Sequence, residues 1–240
     1  MKLVKTVAEM QELGRLWRAE GKKVGLVPTM GYLHEGHLTL AKEAVANNDL
    51  TVMSVFVNPI QFGANEDLDV YPRDLAGDIA KAESVGVDYV FAPEARDMYP
   101  KGFAASINLT GVTETLCGQS RPGHFQGVCV VITKLFNLVQ PANAYFGQKD
   151  GQQLAVLKKL AKDFNMPVKI NGVPIVREAD GLAKSSRNVY LDEECRRQAL
   201  VLSQSLAVAK RLYDGGERDA EVIKAAVRAH IETAPLADIE

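Results

Sequence analysis

The sequence predicts a doubly wound α/β domain on a parallel sheet, followed by a small helical second domain. Two observations carry this. Short, wholly apolar runs of strand length alternate with longer segments whose apolar residues recur at helical spacing, and after Ser186 the strands stop while the helical pattern continues. Repeated strand–helix–strand units imply right-handed crossovers and helices on both faces of the sheet.

Val7, Met10, Leu13 and Trp17 recur at helical spacing and the segment stops at Gly21, so a helix follows directly on Met1-Lys2-Leu3-Val4-Lys5. Val24-Gly25-Leu26-Val27, closed by Pro28, reads as a buried parallel strand. A helix over Leu38, Leu40, Ala41, Ala44 and Val45 leads to a strand from Leu50 to Val57. Next come a helix around Leu75, Ile79, Ala82 and Val85, a strand from Val87 to Ala92 and a helix from about Gln126 to Val139. The strand Ala144-Tyr145-Phe146, a helix from Gln152 to Asn165 and a strand from Val168 to Val173 complete the alternation, and Ala104 to Leu109 reads as an inserted extra strand. Beyond it one helix is expected from Asp192 to Tyr213, N-capped by Asp192, and another from Asp219 to Thr233. The domains are accordingly placed at 1–176 and 177–240.

A chain of 240 residues accommodates a medium domain and a small one. With 47% apolar and 24% charged residues it is not a disordered sequence. A net charge of −2 leaves no basic footprint, so nucleic acid is not an expected partner and any anionic ligand needs a local site. The longest apolar run, Val128 to Val139, is interrupted by Thr133, Lys134 and Asn137 and is too short and polar to span a bilayer, so no membrane partner is expected. The N-terminus lacks the apolar core and cleavage site of a signal peptide. Three cysteines (Cys117, Cys129, Cys195) without a C-x-x-C pair argue against a disulfide framework or zinc ribbon, and the expected setting is a reducing cytoplasm.

Four clusters fall at strand ends or in loops. Pro28-Thr29-Met30-Gly31-Tyr32-Leu33-His34-Glu35-Gly36-His37 joins the first apolar strand to a helix, where doubly wound folds bind ligands and a helix N-terminus offers free N–H groups to phosphate. His34 and His37 would point into one crevice and donate to phosphate oxygens; the plainer reading is two imidazoles decorating a helix start. The order H-E-G-H is not the H-E-x-x-H of a zinc site. Gly147-Gln148-Lys149-Asp150 follows another strand on the same sheet edge: Lys149 offers a point charge, while Asp150 either accepts from a ribose or, as the favoured reading, caps the helix opened by Gln152 and Gln153. Lys184-Ser185-Ser186-Arg187-Asn188 reads as a mobile anion clamp or as a solvated loop. Phe56-Val57-Asn58-Pro59-Ile60-Gln61-Phe62-Gly63 ends the second apolar strand; Asn58 and Gln61 suit a hydroxy acid, Phe56 and Phe62 could wall a pocket, and Arg121 adds a charge to the region. Neither G-x-G-x-x-G after the first strand nor a P-loop is present.

Six motifs, P-T-M-G-x-L-H-E-G-H, F-V-N-P-x-Q-F-G, Y-P-R, R-P-G-H-F-x-G-V, F-G-x-K-D and R-E-x-D-G-L-A-x-S-S-R-N, occur in that order across Pro28 to Leu191 and resemble the pantothenate synthetase family. The resemblance implies a Rossmann-like domain of the nucleotidylyltransferase superfamily, a small C-terminal lid domain and a homodimer. It implies Mg-ATP-dependent joining of pantoate to β-alanine through a pantoyl-adenylate, with release of pyrophosphate and AMP. Met30, Gly31, Tyr32, Leu33, His34, Glu35, Gly36 and His37 would line ATP, with His37 as proton donor and His34 beside it. Gln61 and Gln153 would bind pantoate, and Gly147, Gln148, Lys149 and Asp150 the adenosine and phosphates. Val176 would meet adenine through its backbone, Lys184, Ser185, Ser186 and Arg187 would clamp the phosphates, and Asp78 would remain as magnesium carboxylate where Gly77 replaces an adjacent acid.

Gln148, Gly151, Cys117 and Lys184 also depart from the family pattern. The chain ends about forty residues short of a typical member, which predicts a truncated second domain. Two other readings share these features: an adenylyltransferase acting on a phosphate ester, and an impaired nucleotide-binding module. The uncharged pocket around Asn58, Gln61 and Gln153 favours the ligase, since a phosphorylated acceptor would call for more cations.

Overall fold

The computed structural model describes residues 1–239. The chain folds as two compact units, Met1–Pro174 and Ile175–Glu240. The first unit contains, in order, β1 (Lys2–Val4), α1 (Val7–Ala19), β2 (Val24–Thr29), α2 (Glu35–Asn47), β3 (Leu50–Val55), α3 (Leu75–Ser84), β4 (Tyr89–Phe91), α4 (Ala95–Met98), α5 (Cys117–Ser120), α6 (His124–Val139), β5 (Asn143–Gly147), α7 (Gly151–Asp163) and β6 (Lys169–Val173). The second contains α8 (Glu193–Ala199), α9 (Val201–Asp214) and α10 (Ala220–Ile231).

The six strands pair in the order β1-β4-β3-β2-β5-β6, every pair parallel. Alternate strand residues enter opposite layers, as a sheet buried on both faces requires. Leu26, Val52, Phe91, Ala144 and Phe146 join the core formed with Met10 and Trp17 of α1, Leu135 of α6 and Leu157 of α7. Their neighbours Val27, Met53, Val90 and Tyr145 join a second cluster with Leu40 and Ala44 of α2 and Ala82 of α3. Helix starts follow from local chemistry: the Thr6, Asp74, Asp192 and Asp219 side chains each accept a backbone N–H from the first turn of the helix they precede.

The order of strands reverses between β2 and β5, which makes their C-terminal ends the topological switch point. Pro28 sharpens it. The carbonyl of Thr29 accepts the Phe56 N–H on the β3 side, so Pro28 faces β5, where it has no N–H to give. The β2–β5 register ends two residues earlier, at Leu26 opposite Ala144.

The doubly wound α/β fold expected from sequence is present, with four differences in detail. Lys2–Val4 is a strand rather than a lead-in to α1; it is a short sheet edge, too brief to show periodicity. Ala104 to Leu109 forms no strand: the segment has no ladder partner, and Ile107 and Leu109 pack on the core from an irregular stretch. Pro28 lies inside its strand rather than closing it. The expected Asp192–Tyr213 helix is divided at Leu200 into α8 and α9. Within the second unit an isolated antiparallel bridge joins Arg177 to Ala183, and α9 packs against α10. Among the described residues no helix is long and apolar enough to cross a membrane.

Helix α6 approaches the turn Pro59–Gln61 closely because residue 127 is glycine: a Cβ there would lie 2.2 Å from the Ile60 carbonyl oxygen. Gly127→Ala is expected to lower stability by about 1–3 kcal/mol through overpacking. The measurement is urea unfolding, with a lower midpoint at unchanged slope; an unaltered midpoint would mean that the turn moves away freely.

Candidate functional site

The switch point is lined first by the chain leaving β2. Gly31 (φ 85°) and Tyr32 (φ 49°) adopt left-handed backbone, which a tyrosine holds only when its surroundings impose it. The constraint comes from α3. The Asp78 carboxylate, 1% exposed, accepts the Tyr32 N–H through Oδ2 at 2.9 Å and the Leu33 N–H through Oδ1 at 2.6 Å. One helical turn on, Lys81 Nζ donates to the Leu33 carbonyl at 2.9 Å. Burial pushes the Asp78 pKa up while the two amides pull it down.

The loop then delivers two imidazoles to the start of α2. His34 is the N-cap: its Nδ1 accepts the Gly36 N–H at 3.1 Å, and His37 Nδ1 reaches back to accept the His34 N–H at 3.3 Å. This is a capping box made by histidines. Gly36 permits it, since a Cβ there would lie 2.9 Å from His34 Cε1. With both Nδ1 atoms facing N–H donors, each neutral ring carries its proton on Nε2. The rings lie 4.0 Å apart, and burial, the His34 ring, Lys149 and Lys81 together push the His37 pKa down to about 3. His37 is therefore an uncharged donor at neutral pH.

Beyond β5, Gln148–Asp150 forms a single turn that presents Lys149 near enough for its charge to act on His37. The first and second sequence clusters thus leave the C-terminal ends of the neighbouring strands β2 and β5, on one sheet edge. Asp150 occupies the N-cap position of α7 but makes no cap bond, which corrects the capping reading; its Oδ1 faces Lys149 Nζ at 3.3 Å.

The loop after β3 supplies amides. Asn58, 1% exposed, donates through Nδ2 to Gln61 Oε1 at 3.0 Å and to the Gly127 carbonyl at 3.2 Å, and Tyr99 donates its hydroxyl to Asn58 Oδ1 at 2.7 Å. Asn58 is thus a support behind the site, not the ligand contact its residue type suggested. Gln61 Nε2 points to Met30 Sδ at 3.2 Å, joining this loop to the first. Gln152 ties α7 to the 112–117 segment, donating to the Val112 and Thr115 carbonyls and accepting the Cys117 N–H. Half-buried Gln153, by contrast, has no side-chain partner among the described residues.

Arg121 is not a spare cation. It forms a two-pronged pair with Glu66, Nε to Oε1 at 2.7 Å and Nη2 to Oε2 at 2.5 Å, and holds the Glu66 carboxyl below its ordinary pKa. Its Nη1 lies 3.1 Å from His124 Nε2, and His124 Nδ1 is 2.9 Å from the Gln61 carbonyl. Because that carbonyl only accepts, Nδ1 carries the proton and Nε2 accepts from Arg121. Phe56 belongs to the core and Phe62 meets Tyr71 edge-on, so only Phe62 stays near the surface. Sequence reasoning missed Glu66, Lys81, Tyr99 and His124 as supports; the R-P-G-H spacing of Arg121 and His124 is the one local signal that could have indicated any of them.

The residues present do not form a metal cage. Among the described residues no three His, Cys, Asp or Glu side chains cluster as metal ligands, and both oxygens of Asp78, the expected magnesium ligand, are engaged by loop amides. In the second unit, the Val176 carbonyl accepts the Lys184 N–H at 3.0 Å and Lys184 Nζ pairs with Glu178 at 3.1 Å. Ser185 accepts the Arg187 N–H at 3.3 Å and caps the turn Ser186–Tyr190, in which Ser186 is buried.

A parallel α/β sheet whose switch point carries two imidazoles, a lysine and side-chain amides has the architecture of enzymes that bind small molecules at the carboxyl ends of their strands. The chain matches the model of the pantoate-beta-alanine ligase family over residues 2–240, and it belongs to that family. It is a ligase that joins pantoate to β-alanine to give pantothenate. The pantothenate synthetase of Acetivibrio thermocellus is 55% identical over 233 residues, covering 97% of this chain and 83% of that protein. The crystal structure of pantothenate synthetase from Thermus thermophilus aligns with a TM-score of 0.92 at 48% identity, covering 98% of this chain and 83% of that one. Pantoate-beta-alanine ligase from Francisella tularensis, complexed with beta-gamma ATP and β-alanine, aligns with a TM-score of 0.82 at 35% identity, covering 96% of this chain and 86% of that one.

The His37 assignment has a direct check. A folded pKa of about 3, below the ordinary 6.5, means that His37 stays neutral as pH falls from 8 to 5 and that the stability tied to this difference is lost as pH drops from 6.5 toward 3. In an NMR titration its ring signals should stay flat over that range; a midpoint near 6.5 would place the ring in water.

Proposed function

We propose that the ligation uses ATP and passes through a pantoyl-adenylate, with the uncharged His37 imidazole at the switch point as the observation that carries the reading. A pantoate carboxylate oxygen attacks the α-phosphorus, the bond to the bridging oxygen breaks, and pyrophosphate leaves. The amine of β-alanine then attacks the carbonyl of the mixed anhydride, AMP leaves as the acyl C–O bond breaks, and the ammonium proton passes to solvent. Negative charge grows on non-bridging and leaving oxygens in the first step, and donors fixed in place before reaction stabilise it without reorganisation cost. The Nε2–H of His37 is such a donor, His34 holds the turn that sets it in place, and Lys149 adds a charge beside it. A low His37 pKa favours hydrogen bonding from imidazole over proton transfer from imidazolium.

On this reading Met30 to His37 and Gly147 to Asp150 line the nucleotide, and Gln61 and Gln153 take the carboxylate and hydroxyls of pantoate. The complex of the Francisella tularensis relative with beta-gamma ATP and β-alanine supports the choice of nucleotide. For Val176, Lys184, Ser185, Ser186 and Arg187, for a lid formed by residues 177–240, and for magnesium, a homodimer and a cytoplasmic setting, the assignment rests on the family resemblance alone. Neither chemical step needs a protein nucleophile, so positioning and electrostatics supply the rate.

The test is pantoate-dependent exchange of labelled pyrophosphate into ATP with β-alanine absent. Exchange is expected; its absence while ATP still binds would overturn the adenylate and favour an impaired binding module. His37→Ala is expected to lower kcat by roughly a hundredfold or more, the size of losing one preorganised donor, with a much smaller change in ATP Kd. Equal losses in both would reduce His37 to a binding contact.

A further inference from the structure

The amide of Gln61 faces the crevice in one orientation only, and the atoms that decide this lie behind it. The Gly127 carbonyl is an obligate acceptor 3.2 Å from one end of the Asn58 amide, so that end is Nδ2. Oδ1 must then face the Tyr99 hydroxyl at 2.7 Å, which donates to it. The second Nδ2 hydrogen is directed at Gln61 at 3.0 Å, and only Oε1 can receive it. Gln61 therefore turns its NH2 group outward, where it meets the weak acceptor Met30 Sδ at 3.2 Å.

The relay has little freedom to reverse. Asn58 is buried, so a flipped amide would set Nδ2 against nothing but a hydroxyl and Oδ1 against the Gly127 carbonyl, leaving acceptor facing acceptor. The Tyr99 ring is itself fixed, edge-on to Phe103 at 5.2 Å between centroids, with Lys134 Nζ 5.9 Å from its centre. Burial raises the Tyr99 pKa, which keeps the hydroxyl protonated as the donor.

From this wiring we infer that Tyr99, far from the nucleotide loops in sequence, is a positioning residue that sets the polarity of Gln61, making position 61 a donor selective for the oxygens of a carboxylate or hydroxyl. The inference rests on the reading that Gln61 contacts pantoate. A substrate whose group at this position can only donate would meet two N–H groups and be rejected.

Tyr99→Phe keeps the ring, its contact with Phe103 and the neighbouring lysine, and removes one hydroxyl. It is expected to raise the pantoate KM roughly tenfold, the scale of one hydrogen bond to a charged group, with the ATP KM within about twofold. Gln61→Ala is measured beside it. If Gln61→Ala leaves the pantoate KM unchanged, the substrate assignment of Gln61 is wrong; if it raises KM and a folded Tyr99→Phe does not, the relay is wrong. In the double variant Tyr99→Phe should add nothing to Gln61→Ala, whereas a loss that is fully additive would make Tyr99 a merely structural residue. Gln61→Glu tests the polarity independently of Tyr99. Its inner oxygen keeps the Asn58 bond while its outer one is an acceptor, so pantoate KM should rise at least as far as in Gln61→Ala; a KM equal to that of the parent chain would overturn the inference.

Discussion

The site depends first on one buried carboxylate. Asp78 takes two consecutive loop amides, Tyr32 and Leu33, and in doing so holds a tyrosine at positive φ. Left-handed backbone costs a non-glycine residue about 1–2 kcal/mol, comparable to what a charge-assisted hydrogen bond returns. Without that hold the chain leaving β2 would have no fixed path, and the turn that makes His34 an N-cap would not be set. Lys81 completes the clamp on the Leu33 carbonyl, so α3 grips both polarities of the same peptide segment. A buried acid is tolerable here because its oxygens are covered by amides and a lysine sits one turn away.

A consequence is that the crevice is rich in donors rather than in net charge. Lys149 is partly balanced by Asp150, and Arg121 is fully engaged by Glu66. The groups left with directional donors are the His37 imidazole, the Gln61 NH2, whose partner is the weak acceptor Met30 Sδ, and the unpartnered Gln153 amide. Fixed dipoles act where charge develops in a transition state, while free cations would bind the ground state equally well. The support residues follow the same division. Asn58, Gln152, His124 and Tyr99 direct their donor hydrogens at protein acceptors, which is why they orient others instead of binding.

Much of this was legible in the sequence, for reasons of range. The apolar strands announced themselves because a sheet buried on both faces needs uninterrupted apolar runs, and the clusters at 28–37, 56–63 and 147–150 could be placed at strand ends because each adjoins such a run. The misreadings turn on which partner a polar side chain meets. Arg121 looked like a free cation because Glu66, its partner, is far away in the chain; the hold of Asp78 on the Tyr32 and Leu33 amides was likewise hidden, because that loop follows β2. Asp150 stands where a cap belongs, yet the adjacent lysine attracts its carboxylate away from the helix. Periodicity reports which face is buried, not which distant group meets a polar atom. Lys2–Val4 and Ala104 to Leu109 show the same limit for strands, since the presence of a ladder partner decides them and no partner is written locally.

The link between fold and chemistry runs through Pro28. A parallel sheet has no reason to open between two neighbouring strands unless their ladder is interrupted, and a residue without an N–H interrupts it on one side only. On the β3 side Thr29 continues the pairing, with its N–H and hydroxyl both bonded to Ser54. On the β5 side the register has already ended. The two strands can therefore part at their C-terminal ends while β2 stays anchored to β3, and the loops that carry the histidines and Lys149 leave from opposite walls of the gap. Because the opening is set by a missing donor in the backbone, it exists before any substrate arrives, which is the condition for donors aimed at a transition state to be in place in advance.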